Sequence, residues 1–167
     1  MAKNADWYID NNIVGGDKSG DSWINSMDEA AYEIHKEGAL VAGDYHWIKD
    51  ATYTLDSDID SSLRDGTAVS PVLEIGVKAG TTNEPPVYSD WSRDAADRPA
   101  FDCVTFQIKT GDYYKVQNIE FEGDNSTVLS VGFGCIVENC KFDNDYSVGA
   151  TARYGITLAD GSLSLNS

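Results

Sequence analysis

Proline, cysteine and basic side chains are all scarce in this 167-residue chain. With 4 prolines and no low-complexity tract, the sequence lacks the composition of a linker between two domains. One domain over residues 1–167 is therefore expected. The 3 cysteines are an odd number without metal-ligand spacing, which argues against a disulfide framework and a zinc site. They point to synthesis in a reducing cytoplasm. Of the 2 histidines, His35 and His46, neither has the Ser, Cys or Asp spacing of a nucleophile relay, and both read as ordinary surface or strand residues. No apolar run follows Met1 and none approaches the length of a membrane span, so neither a secretory signal nor membrane insertion is expected. Lys and Arg total 12 against 28 Asp and Glu, a net charge of −16. That charge repels phosphate backbones and disfavours nucleic-acid binding. It leaves room for divalent cations, basic partners or a self-repelling soluble surface.

What the chain does have is a repeat. Val116-Gln117-Asn118-Ile119-Glu120-Phe121-Glu122 is echoed by Val137-Glu138-Asn139-Cys140-Lys141-Phe142-Asp143, each residue 21 positions after its counterpart. A fixed period near that length marks supersecondary units stacked along an axis. Alternation over Val116–Phe121 and the turn residues Gly123-Asp124-Asn125 read as a strand followed by a bend. Stacking in parallel, about 4.8 Å apart, would set Phe121 on Phe142, Ile119 on Cys140 and Asn118 on Asn139. The asparagines would then form a hydrogen-bonded ladder. A weaker third copy aligns Val128–Val131 with Gly155–Leu158, and Gly134–Ile136 and Asn139 with Gly161–Leu163 and Asn166, at an offset of 27. A further coil would begin near Ser167, so another segment, subunit or partner is expected to cover that end.

Ahead of the repeat, Asp6–Asp10 reads as a short strand and Gly15–Asp21 as a glycine-rich turn without phosphate-loop spacing. A helix is expected at about 26–36, with Ser26 and Glu29 as a capping box, Met27, Ala30, Ala31 and Ile34 as its apolar stripe, and Gly38 as its stop. Residues 1–38 would form an N-terminal cap, and 39–167 the coils. Strands follow at His46-Trp47-Ile48, Thr52–Thr54, Val72–Val77 and, as one run, Phe101–Lys109. Residues 81–97, with Pro85-Pro86 and Trp91, are too polar for a coil and read as a side loop suited to binding. Asp56-Ser57-Asp58-Ile59-Asp60 opens like a calcium loop but lacks the glycine and glutamate that complete one.

The repeated Asn118/Asn139 and Phe121/Phe142 resemble consecutive coils of a right-handed parallel β-helix of the pectin-lyase-like fold. The order Tyr8-Ile9-Asp10, Gly15-Gly16-Asp17, Ser22-Trp23, Gly43-Asp44 and Thr52-Tyr53-Thr54 is similar to the entry of many such proteins, although the spacing across Gly38–Gly43 departs from it. The resemblance implies an all-β solenoid with a capping helix. It occurs in bacterial surface proteins and in phage tail and other virion proteins, and it fixes architecture better than activity. The leading expectation is a non-enzymatic virion surface, decoration or tail-associated module. Its partners would be other virion proteins or its own subunits, as in a homotrimer. Such a protein would be assembled in a host cytoplasm, or alternatively displayed at a cell surface. A polysaccharide lyase or hydrolase and a glycan-binding adhesin module are the alternatives.

Candidate chemistry follows from the repeat. Glu122 and Asp143, with Asp124 and Asp145, would bring four carboxylates to one edge, able to act as acid and base on a glycosidic bond or to bind Ca2+. Acidic turn residues are more often simply solvated, and no other cofactor is expected. Tyr88, Trp91, Tyr113, Tyr114 and Tyr146 fall in loops or turns, where they could stack on a surface polysaccharide, anchor an interface, or pack over the coils.

Overall fold

The computed structural model describes residues 3–103, 106–123, 128–143, 156–158 and 164–166, the last two segments by backbone alone. Among these residues fourteen short strands build three parallel sheets. The first sheet contains β1 (Asp6–Ile9), β2 (Tyr45–Lys49), β5 (Val72–Val77), β8 (Tyr114–Gln117), β11 (Ile136–Glu138) and β14 (Ser164–Asn166), in that order. The second contains β3 (Thr52–Thr54), β6 (Ala100–Asp102), β9 (Glu120–Glu122) and β12 (Lys141–Asp143). The third contains β4 (Ile59–Ser61), β7 (Ile108–Thr110), β10 (Leu129–Val131) and β13 (Ile156–Leu158). From β2 onward successive strands visit the three sheets in turn, so the chain winds as a parallel β-helix.

Alternation along each strand decides what lies inside. In the second sheet the register aligns Tyr53, Phe101, Phe121 and Phe142. Their rings stack at centroid separations of 5.0, 6.0 and 5.3 Å. Each aromatic removed from water contributes roughly 1.5–3 kcal/mol. In the third sheet Ile59, Ile108 and Leu129 line up as buried aliphatics. Val116 and Val137 do the same in the first sheet.

Tight corners join the sheets. Asn118 and Asn139 sit between first-sheet and second-sheet strands in the left-handed region, at φ 58° and 52°, a conformation asparagine tolerates better than most residues. Asn139 donates from Nδ2 to Asn118 Oδ1 at 2.7 Å, the ladder expected from the repeat. The corners also divide what sequence alternation joined: Val116–Phe121 is the end of β8, a bend and the start of β9, and Phe101–Lys109 is β6 and β7 in different sheets. The first offset of 27 holds, pairing Leu129 with Ile156. The second is 28, because β11 pairs Val137 with Leu165, one position beyond the expected alignment.

The helix α1 spans Glu29–Gly38, later than expected. Met27 is held in a parallel bridge to Ile9, its N–H donating to Tyr8 O and its carbonyl accepting from Asp10 N. Ser26 and Met27 therefore remain extended, and Asp28 is the cap, accepting from Ala31 N–H at 3.1 Å. Gly38 lies within the helix, which closes at Ala39. The buried face also differs from the expected apolar stripe: Ala30 and Ile34 face solvent, while Tyr32, His35 and Lys36 point inward. Lys36 forms an ion pair with the inward-turned Glu74 of β5, and both side chains are almost completely buried. His35 and His46 are likewise buried, so His35 is not a surface residue, while His46 is in a strand, β2, as expected; their rings meet edge-on at 5.3 Å.

Candidate functional site

Three surface regions carry the residues singled out by the sequence, and the fold separates them. The carboxylates lie on the outer face of the second sheet. Asp102, Glu122 and Asp143 are register neighbours, and so are Glu120 and Lys141. Lys141 pairs with Glu120 and lies 3.2 Å from Asp143. A hydrogen bond with the Glu120 carboxyl, then burial and the Glu120 charge, hold the Glu122 carboxyl above the usual range. Asp124 and Asp145, the other two candidate carboxylates, lie outside the described residues, as does Tyr146. Among the described residues no group of three or more His, Cys, Asp or Glu side chains is arranged to hold a metal ion. Asp58 and Asp60, from the calcium-like run, instead flank Lys109 Nζ at 3.5 Å each.

Tyr113 and Tyr114 part company. Tyr113 occupies a turn at φ 55°, edge-on to Phe133 at 5.6 Å, beside a small hollow of ≈ 200 Å³ with Lys115 and Ile136. Tyr114 belongs to β8 and is buried, not in a loop. Alternation turns it inward with Val116, and its ring centroid lies 5.3 Å from Lys36 Nζ.

Tyr88 and Trp91 form one wall of a cleft. The chain between β5 and β6 leaves the solenoid and folds back against the first sheet. Val77 pairs with Trp91 in an antiparallel bridge, Ser92 N–H donates to Gly76 O, and Lys78 N–H donates to Asp90 O. Farther out, Trp23 donates from Nε1 to Asn83 O and from its backbone N–H to the Glu84 carboxylate. The excursion is thus held at both ends. Its aromatic rings lie 5.1 Å apart and tilted, and Arg93 sits 4.7 Å over Tyr88 while donating to its hydroxyl at 3.1 Å.

The opposite side and floor come from β8, β11 and their corners: Gln117, Asn118, Glu138 and Asn139. The open volume between the two sides is ≈ 440 Å³. Gln117 donates to Glu138 at 2.6 Å, and Lys115 Nζ lies 3.0 Å from the same carboxylate oxygen. Arg98 ties the wall to the floor, donating to Asn139 Oδ1 at 2.7 Å and to Arg93 O at 3.3 Å, while Asn139 donates to Arg93 O at 3.1 Å. Two nitrogens of cleft residues, Asn118 Nδ2 and Trp91 Nε1, are shielded from solvent and have no hydrogen-bond partner.

The cleft therefore combines an aromatic wall with an amide row, a geometry that can pack on an apolar sugar face and hydrogen-bond its hydroxyls. Trp91 and Tyr88 were expected at such a place; Arg93, Gln117 and Glu138 were not. The repeat itself contained the missing signal. An outward residue of one coil lies beside the residue 21 positions later, so Gln117 and Glu138 had to be surface neighbours.

No family model matches the sequence, and no curated protein sequence does. Among solved structures the chain is similar to one described as a rhamnogalacturonan lyase, with 14% identity and a TM-score of 0.49 over 97% of this chain and 51% of that one. This chain thus spans about half the length of the protein it matches.

Proposed function

We propose that the protein is a glycan-binding β-helix module that holds a saccharide in the Tyr88–Trp91 cleft and does not cleave it. The observation that carries this reading is the juxtaposition of those two rings with the amides of Gln117, Asn118 and Asn139 across one cleft. Aromatic side chains pack on the C–H faces of pyranose rings, and amides carry donors and acceptors for hydroxyls; here Gln117 and Asn139 are oriented by their bonds to Glu138, Asn118, Arg93 O and Arg98. Among the described residues that line the cleft Glu138 is the one carboxylate, and it is engaged by Gln117 and Lys115. Glycoside hydrolysis by the usual route uses two carboxyl groups across the bond. Glu122 and Asp143 belong to a different sheet from the strands that floor the cleft.

The test is equilibrium binding to a panel of neutral and acidic polysaccharides, with release of reducing and unsaturated ends measured in parallel. Binding without product, lost in Trp91→Ala, is the expected result. Product that disappears in Glu122→Gln or Asp143→Asn would replace the proposal with the enzymatic alternative. Binding unchanged by Trp91→Ala would place the ligand elsewhere.

A role as an oligomeric virion surface or tail-associated component would give such a module its setting. Large apolar side chains are left exposed at Val14, Ile24, Ile34 and Val41 in the N-terminal region and at Leu63 and Val69 farther along, surface on which subunits could meet. Light scattering of the purified protein checks this, with a trimer expected and a monomer at all concentrations opposing it.

A further inference from the structure

We propose that the docking of α1 onto the solenoid is a proton-sensitive joint: acid releases the helix by charging His35 and His46, which are buried beside Lys36 and Glu74. The joint is built from five elements. From α1 come Tyr32, His35 and Lys36; from β2, His46; from β5, Glu74; from β8, Tyr114; and from β1, Trp7, whose ring lies 4.3 Å from that of His35. Buried Asp44, just before β2, also acts on His35.

With both histidines neutral, the charges in contact at the centre are Lys36 and Glu74, one of each sign. His46 Nδ1 stands 3.8 Å from the same Glu74 oxygen that Lys36 takes, too far for a hydrogen bond. Both ring nitrogens of His46, and Nε2 of His35, are shielded from water and have no hydrogen-bond partner. A proton on His46 would place a second cation next to Lys36 with Glu74 the one carboxylate in contact with both, and a proton on His35 would add a cation that Asp44 answers only in part. Burial, the neighbouring His35 and Lys36 hold His46 well below the usual histidine range. Burial lowers His35 as well, against a partial upward pull from Asp44.

Undocking returns both rings to water, where histidine titrates near about 6.5. The released state thus binds protons that the docked state refuses. Docking is complete above about pH 6.5 and weakens as pH falls toward the depressed docked values. Each histidine that gains a proton raises the opening constant about tenfold per pH unit in that window.

Two groups on the same helix, Glu33 and Glu29, work in the opposite direction. Glu33, near Asp56, Glu29 and Glu37, has its carboxyl raised to about 7, chiefly by burial and then by those charges. Its protonation strengthens docking between about pH 7 and the ordinary carboxyl range. Glu29 is raised in the same sense, first by burial. A clean reading therefore needs Glu33→Gln.

The experiment is hydrogen exchange of the α1 amides in full-length Glu33→Gln protein from about pH 7.5 to about 5.5, with rates divided by their intrinsic values. Protection of α1 is expected to fall about tenfold or more per pH unit below about 6.5, while β8 and β9 keep theirs. Adding His46→Phe, or His46→Gln, is expected to flatten that slope. Flat protection in Glu33→Gln, an unchanged slope in both His46 variants, or parallel loss across the solenoid would overturn the proposal. If neither His46 variant folds, NMR titration of the imidazole protons decides. A His46 that charges near about 6.5 while α1 stays protected also overturns it.

Discussion

The first sheet runs the length of the described molecule in one continuous parallel order, yet its two halves are made differently. In the first half the inward column holds His46 and Glu74; in the second the same column holds Val116 and Val137. The outer face changes in the opposite sense. Tyr8, Trp47 and Ile75 are register neighbours, buried together with Trp23 and Val77 beneath the N-terminal segment and the excursion. Gln117 and Glu138 continue that column as polar residues lining the cleft. The half with a polar interior is covered outside, and the half with an apolar interior is open. Backbone hydrogen bonds are equivalent in both, so the ladder leaves interior chemistry free to follow what each end must contact: a helix at one, a ligand cleft at the other.

Substitutions that attack one half and spare the other test this division. The largest effect is expected from Lys36→Met, which strands Glu74 as a buried unpaired charge and costs about 3–5 kcal/mol in urea unfolding. Adding Glu74→Leu recovers most of that loss if the polar interior serves the cap and not the coils. Trp47→Ala on the covered outer face should cost about 3 kcal/mol by the same measurement, without a specific loss of glycan binding. Asn139→Ala removes the ladder bond and releases Arg98 and Arg93 O. A loss of about 1–3 kcal/mol is expected, together with weaker binding. Trp91→Ala, at the edge of the same outer cluster, should lower glycan affinity about tenfold, or about 1.4 kcal/mol, and cost less in urea unfolding than Trp47→Ala because its ring is only partly buried.

The smallest effect concerns the exposed second sheet. The folded protein holds the Glu122 proton more tightly than an ordinary carboxyl, first through the Glu120 hydrogen bond. Stability from that group is present below the ordinary carboxyl range and is lost as pH rises through the raised value. After allowance for solvent screening, Glu122→Gln should add a few tenths of a kcal/mol at pH 7 and nothing near about pH 4. Paired urea titrations at the two pH values check it.

The coils were legible because their determinants repeat. Phe121 over Phe142 and Asn118 beside Asn139 follow from one period and one alternation, and the structure reproduces both. The corners were harder, since a left-handed asparagine leaves strand-like alternation intact on either side of it. The cap helix was misread where its contacts are polar. An apolar stripe predicts burial of Ile34, whereas the interior offered Glu74 and His46, and Lys36 with His35 answered them. Tyr114 reads as a loop or turn residue beside Tyr113, although its own parity with Val116 turns it inward. Half of the cleft was within reach of the sequence. Trp91 lay in a segment too polar for a coil, but Gln117 and Glu138 look like ordinary outward strand residues until the excursion is folded against them.

The excursion leaves the solenoid between β5 and β6, at the same corner that Asn118 and Asn139 turn in the following coils. That corner therefore behaves as a socket. Residues 78–99 fill it in one coil, while the next two leave it nearly bare, and the strands on either side stay in register throughout. New segments grafted at Asn118–Ile119 or Asn139–Cys140 would rise beside the existing wall, one coil spacing of about 4.8 Å apart, and lengthen the groove without rewriting the scaffold beneath it.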